Sequence, residues 1–365
     1  MNTRTSTYAF TPGKDSLAEY HVLISVTAPS LRFENQLEAV LQAATEAATG
    51  RTVHFRRFFL SDAANQAPLL RQALATLPPV ATSVIGQAPL DGTRIALWMY
   101  CTAPMEDSAD IPTHNGYAHH WNASLVSAEN GSCRQMSALF EDLDGRLGRK
   151  GLSVADHVLR TWIFVRDIDV NYAGVVQGRK DYFNRIGLTT ATHFIASTGI
   201  EGQAPDSRNL VSLDAYGVSG LQAAQIRYLH APDNLNPTID YGVTFERGTA
   251  VTYGDRRHVF ISGTASIDAG GNVLFPGDAT AQTLRTLDNI DALLSDAGAG
   301  LGDIAQAIVY LRDPADYARV RPIVAKAFPV ERALFVHAPV CRTSWLVEIE
   351  CIALTRDGDK AFPDF

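Results

Sequence analysis

The sequence predicts an α+β fold made of three copies of one small module, and three observations carry that prediction. The same order of elements recurs in each third of the 365 residues: an amphipathic helix, a strand ending in a polar-Asp turn, a second helix, then two strands. The Arg-Asp turns of the second and third copies set Asp167 and Asp313 146 residues apart, and Phe183 and Phe328, which close the helices that follow, lie 145 apart. Repeats of this length are too long for solenoid units, so each copy is a small domain.

In the first third, Leu37, Leu41 and Ala44 repeat at helical spacing. Residues 53–60 read as a strand, Ser61-Asp62 as the turn, 67–77 as a helix, and 81–85 and 95–101 as the closing strands. In the middle third the apolar stripe is Met136, Phe140, Leu143 and Leu147. A strand over 160–165, a helix over 172–183 and strands over 193–197 and 210–216 follow. In the last third the stripe is Leu284, Leu287, Ile290 and Leu294, then a strand over 306–311, a helix over 317–328 and strands over 334–337 and 345–354. The Asp of each turn is expected to cap the next helix, because its short side chain can accept from the first free N–H groups. The last two copies also open with a strand pair. In the third it covers 242–253 and 256–264 and is followed by a hairpin around 268–272; in the second it falls in 105–130, which is polar and irregular. The module boundaries are placed at 1–103, 104–220 and 221–365.

Composition narrows the function. With 46% hydrophobic and 19% charged residues, a substantial core is available and a disordered chain is excluded. A net charge of −8 argues against a nucleic-acid surface, but leaves room for a local arginine cluster facing an anionic small molecule. No run of about 18 apolar residues predicts a membrane span, and the N-terminus has no apolar signal segment. Cys101, Cys133, Cys341 and Cys351 have no C-x-x-C spacing, so neither a zinc site nor a disulfide framework is expected. His114, His119 and His120 lack helical spacing and an acidic partner, and no metal is expected. The glycines over 298–302 sit between a helix and a strand, the reverse of what a dinucleotide loop needs. The expectation is a reduced, cytoplasmic enzyme.

The chemistry-bearing stretch is 331–354. Period-2 alternation puts Val347, Ile349 and Cys351 on one face of a strand, and Leu346, Glu348 and Glu350 on the other. A carboxylate in so apolar a run is costly unless paired or protonated. One outcome is a solvated or ion-paired face. The other is a general acid, since burial raises a carboxyl pKa until it holds a proton at neutral pH.

Several segments carry a family resemblance. HVFISGTASID (258–268), QAIVYLRDPADY (306–317) and LVEIECIAL (346–354) resemble the RidA (reactive-intermediate deaminase, YjgF/UK114) fold over roughly the last 120 residues. RidA proteins are trimers with sites in the clefts between subunits. The resemblance therefore implies RidA-like (chorismate-mutase-like) modules, three copies forming an intramolecular pseudo-trimer. RTWIFVRDID (160–169), QIRYLHAP (225–232), FERG (245–248), ISGTASI (261–267) and VCRTSWLVEIE (340–350) are similar in order and spacing to chorismatases, from about residue 160 onward. The N-terminal 150 residues carry no such likeness.

That resemblance implies a cofactor-free enzyme that splits the enolpyruvyl ether of chorismate, with Glu348 as the acid and Glu350 as a structural ion-pair partner. Cys341, seven residues before Glu348, and Gly248 match the branch that yields 3-hydroxybenzoate and pyruvate. Arg160, Tyr228, Arg247 and Arg332 are the expected substrate-binding residues, since two carboxylates call for guanidinium partners. Arg332 falls where RidA proteins bind a carboxylate. Arg342 is either a ligand or a strand-end ion pair. Ser212 stands in the second copy where Glu348 stands in the third, so one active cleft per chain is expected. The chain departs from the pattern at Asn236-Pro237-Thr238, where chorismatases carry Asn-Pro-Arg. Hydrolysis to a dihydroxycyclohexadiene carboxylate, enamine/imine deamination of the RidA type and non-catalytic binding of an aromatic acid are the alternatives. The expected partner is the small-molecule substrate alone, with neither nucleic acid nor membrane. The expected assembly is a monomer acting as its own pseudo-trimer, or a weak homo-oligomer.

Overall fold

A computed structural model describes residues 2–105 and 112–365. The first sheet contains β1 (Thr3–Phe10), β2 (Glu19–Val26), β3 (Thr52–Leu60), β4 (Ala81–Gly86) and β5 (Ile95–Thr102), in the order β1-β2-β5-β3-β4, with helices α1 (Phe33–Ala48) and α2 (Ala63–Leu74). The second contains β6 (Thr113–His114), β7 (Tyr117–Val126), β8 (Val158–Val165), β9 (Ala196–Glu201) and β10 (Val211–Ser219), in the order β6-β7-β10-β8-β9. Its helices are α3 (Ser132–Gly148), α4 (Val154–His157) and α5 (Ile168–Arg185). The third contains β11 (Ile226–Tyr228), β12 (Gly248–Thr252), β13 (Arg257–Ala265), β14 (Ile304–Leu311), β15 (Ala333–His337) and β16 (Val347–Thr355), in the order β11-β12-β13-β16-β14-β15, with α6 (Ala279–Asp296) and α7 (Tyr317–Ala327).

One four-strand unit is common to the three sheets: β2-β5-β3-β4, β7-β10-β8-β9 and β13-β16-β14-β15. In each, the last two strands of that order run parallel, joined by a helix that crosses over the sheet, as parallel pairing requires. The expected threefold repetition of an α+β module is therefore present. Helices cover one face of each sheet; Leu37, Val40 and Ala44 pack on β2 and β5, and Met136, Phe140 and Leu143 on the second sheet. The other faces meet in a common core in which Phe55, Trp98, Trp162, Tyr216, Phe260 and Tyr310 come together from all three modules.

Three expectations are corrected. The first copy also opens with a hairpin, β1–β2, whose outer strand is mostly exposed and so shows no apolar alternation. The predicted strand over 242–253 begins only at Gly248, whereas the second copy's opening pair, β6 and β7, does fall within 105–130. Asp167 does not cap its helix. It adopts a left-handed φ of 47°, and the Glu201 carboxylate takes the N–H groups of Asp167 (3.0 Å) and Ile168 (2.6 Å) instead. Asp62 does cap α2, accepting from Asn65 N, and Asp313 accepts from Ala315 N.

Strand registers define equivalent positions. Ile95, Val211 and Val347 pair with Leu60, Val165 and Leu311, the last residues before each turn. One residue further stand Ala96, Ser212 and Glu348; three further stand Trp98, Asp214 and Glu350. The second set meets at the pseudo-threefold axis. There Arg57 of the first module pairs with Asp214 of the second at 2.8 Å and lies 3.9 Å from Glu350 of the third. Arg160 bonds Glu350 at 2.6 Å, and Trp162 Nε1 donates to the same carboxylate at 2.9 Å. Two arginines and two carboxylates, all nearly inaccessible, thus balance one another where three sheets converge.

Candidate active site

A cavity of about 320 Å³ opens at the seam between the second and third modules. One wall is helix α5, through Tyr172 and Arg179, with Ser197 and Gly199 of β9. The opposite wall comes from the third module: Phe245 and Arg247 before β12, Gly263 and Ala265 in β13, Cys341, Arg342 and Trp345 in the corner before β16, and Glu348 in β16.

Glu348 is 5% exposed at the floor of this cavity. Burial and the neighbouring Glu350 charge push its pKa up to about 8, against the pull of Arg160 and Arg247. The acid therefore carries its proton at neutral pH. Its position depends on Gly263: a Cβ there would lie 2.2 Å from Glu348 Oε1, so only glycine lets the carboxyl rest against β13. Glu350, two residues on, faces the axis instead and is anchored by Arg160, Trp162 and the Thr198 hydroxyl.

Cys341 lines the cavity, half-buried, with the Tyr172 hydroxyl as its hydrogen-bond partner. Burial, with the Glu348 carboxyl adding, pushes its thiol up to about 12, so it is no thiolate nucleophile. Three guanidinium groups surround the same space. Arg247 is held by Asn236 O (2.9 Å to Nη2), 5.6 Å from the Phe245 ring. Arg179 reaches the Phe245 ring at 5.8 Å, and Arg342 lies 5.0 Å over Trp345. A protonated acid among three cations suits an anionic, preferably dianionic, small molecule.

The endoribonuclease L-PSP family profile matches residues 248–355. A 3-aminoacrylate deaminase RutC of Acinetobacter baylyi is 36% identical over 97 residues, 26% of this chain and 77% of that protein. The chain belongs to the RidA/YjgF superfamily. A RutC family protein of Pyrococcus abyssi is similar at 34% identity over 97 residues, 26% of this chain and 76% of its own. At the level of the whole chain, a chorismatase crystal structure shares the fold with a TM-score of 0.65 and 19% identity, covering 83% of this chain and 93% of that one.

Within this RidA/YjgF chain the expected binding residues part company. Arg247 lines the Glu348 cavity. Arg160 does not: at 1% exposure it is bound to Glu350 and Thr198 instead. Tyr228 stacks on His193 at 4.7 Å in a neighbouring cavity of about 520 Å³, which shares Phe245 and Arg247 as its partition. Gly248 is also absent from the lining; a Cβ there would meet Leu229 Cδ1 at 2.9 Å and Phe260 O at 3.0 Å, so it is a packing glycine. Arg332 donates to Gly302 O and Ile304 O and lies 4.5 Å over the Tyr8 ring, at the start of β15 and outside the acid's cavity. Thr238, where an arginine was expected, bonds Phe245 O and shapes the loop that holds Arg247 through Asn236.

Sequence reasoning alone misses Tyr172, Arg179, Gly263 and Trp345, which line the cavity. A signal existed for Arg179: it shares a helix face with the buried Val175 and Tyr182, an anomalous place for a guanidinium.

Proposed function

We propose that this chain is a chorismatase that converts chorismate to 3-hydroxybenzoate and pyruvate. The observation that carries this is a buried carboxyl, Glu348, holding its proton to about pH 8 in a cavity walled by Arg179, Arg247 and Arg342. Chorismate is a dianion bearing an enolpyruvyl ether. Glu348 gives its proton to the vinyl methylene, and the ether carbon becomes an oxocarbenium ion. The Glu348 carboxylate left behind steadies that cation in a site where the solvent screens little. The ring hydroxyl then displaces the ether oxygen from the ring through an arene-oxide-like species, pyruvate departs, and the ring aromatises to the hydroxybenzoate. Chorismate equals the sum of these two products, so no water is consumed. Glu348 regains its proton as the ring loses one.

Cys341, seven residues before Glu348 and lining the same cavity, supports this branch over hydrolysis. In this reading the acid belongs to the third of the modules 1–103, 104–220 and 221–365. Ala96 and Ser212 at the equivalent positions leave the other two without one.

The decisive experiment is incubation of the purified chain with chorismate and separation of the products. Equimolar 3-hydroxybenzoate and pyruvate are expected, and Glu348→Gln is expected to produce neither while keeping the wild-type circular dichroism spectrum. A dihydrodiol instead would reassign the branch. Turnover by Glu348→Gln would remove the acid from the mechanism. Similarity to RutC favours enamine deamination as the second reading, but Arg332, the residue expected to bind the carboxylate there, is committed to backbone carbonyls. An ammonia-release assay with 2-aminoacrylate separates the two.

A further inference from the structure

Following the same registers round the axis leads to the counterpart of the Glu348 cavity, at the seam between the third and first modules. Ala96, 1% exposed, stands there where Glu348 stands in the active seam, and Phe335 replaces Gly199. The seam is nonetheless open. It encloses a cavity of about 450 Å³ with an apolar floor of Leu23, Ala96, Leu334 and Phe335. Tyr317, near the start of α7 as Tyr172 is near the start of α5, meets Phe335 edge-on at 5.4 Å. Arg4, Arg321 and Asp91 all lie within electrostatic reach of the Tyr317 hydroxyl, and Ser6 and Ser25 add hydroxyls from β1 and β2.

The remaining seam, between the first and second modules, is stitched shut where its acid would be. Ser124, at a left-handed φ of 52°, accepts from Val84 N and donates its own N–H to Asp214, while Phe55 and Trp121 stack across it at 4.6 Å. The degenerate seams thus differ: one is filled by side chains, and the other keeps an aromatic wall, two guanidinium groups and an empty floor.

We propose that the cavity between the third and first modules is a second, non-catalytic binding site for a planar aromatic monocarboxylate such as a hydroxybenzoate. The ring lies on the floor against Tyr317 and Phe335, and the carboxylate faces Arg321 and Arg4. Lacking an acid at Ala96, the site binds without turnover. Its charge selects against a dianion. Arg4 and Arg321 share the rim with exposed Asp91 and Glu331, whereas the active cavity sets three arginines around a neutral acid. A ligand with a second carboxylate would meet those rim anions. The inference needs no turnover in the other cavity, since it is read from binding alone.

Titration calorimetry of the full chain with 3-hydroxybenzoate, together with crystals grown with 3-bromobenzoate, tests it. Two sites per chain are expected, with a bromine anomalous peak between Tyr317 and Phe335. Arg321→Glu, a substitution of a partly exposed residue checked by an unchanged melting temperature, should weaken that site about tenfold or more and remove the peak. Arg247→Glu should leave the peak in place. No bromine beside Tyr317 in the wild type, or an Arg321→Glu titration superimposable on it, would overturn the proposal.

Discussion

In the proposed mechanism Glu348 governs the chemistry at the scale of single residues, and its pKa makes two behaviours measurable. Because the acid must hold its proton, turnover should fall as pH rises through about 8, and a pH-rate profile checks this. The same shift bears on stability. The folded-state pKa lies above the unfolded value of about 4.5, so the native chain binds the extra proton. The stability it contributes is complete below about pH 4.5 and lost as pH climbs to about 8. Glu348→Gln removes that dependence. It should be more stable than wild type above pH 8, by on the order of 1–4 kcal/mol, with the gap closing towards pH 5 in urea titrations. Gly263→Ala should cost activity at least tenfold with little loss of fold, since the methyl group would push the carboxyl off β13. Glu348 and Cys341 were legible because their motif is local. Gly263 and Arg179 were not, because what each touches is brought to it by another strand or another module. Arg160 and Arg332 misled for a related reason: a buried or half-buried arginine looks the same in sequence whether it faces a substrate, a carboxylate or a pair of carbonyls.

At the level of elements, the helices and the central strands were readable because their burial is periodic, as in the stripes of α1, α3 and α6. The opening hairpins were less so: β1 exposes most of its side chains, and β7 carries histidines, a tryptophan and an asparagine among its apolar residues. Helix α5 bears the most functional weight, since Tyr172 and Arg179 both reach the cavity from it. Its start is fixed from outside by Glu201 at the end of β9, which binds two N–H groups of the first turn. Glu201→Ala should therefore destabilise the chain by about 1 kcal/mol. It should also raise KM more than it lowers kcat, because the helix carries binding groups and the acid lies on β16. Steady-state kinetics with chorismate would separate the two effects.

Taken whole, the molecule is three sheets closed on an ionic centre, with one contribution from each module: Arg57, Asp214 and Glu350. Arg57→Met strands Asp214 in the interior and should cost about 3–5 kcal/mol in urea unfolding. Arg57→Met combined with Asp214→Leu should cost less than the sum of the single substitutions, which a double-mutant cycle would register. That centre was invisible in the sequence, since Arg57 and Asp214 stand 157 positions apart, Asp214 and Glu350 136 apart, and only the pseudo-threefold closure joins them. If the proposed activity holds, the closure has a further effect on how the chain behaves in a cell. Where separate subunits build a cleft, the cleft vanishes on dilution, and a scarce protein is mostly inactive. Here the peptide chain tethers both walls, so their encounter is intramolecular and specific activity should stay constant however few copies are made.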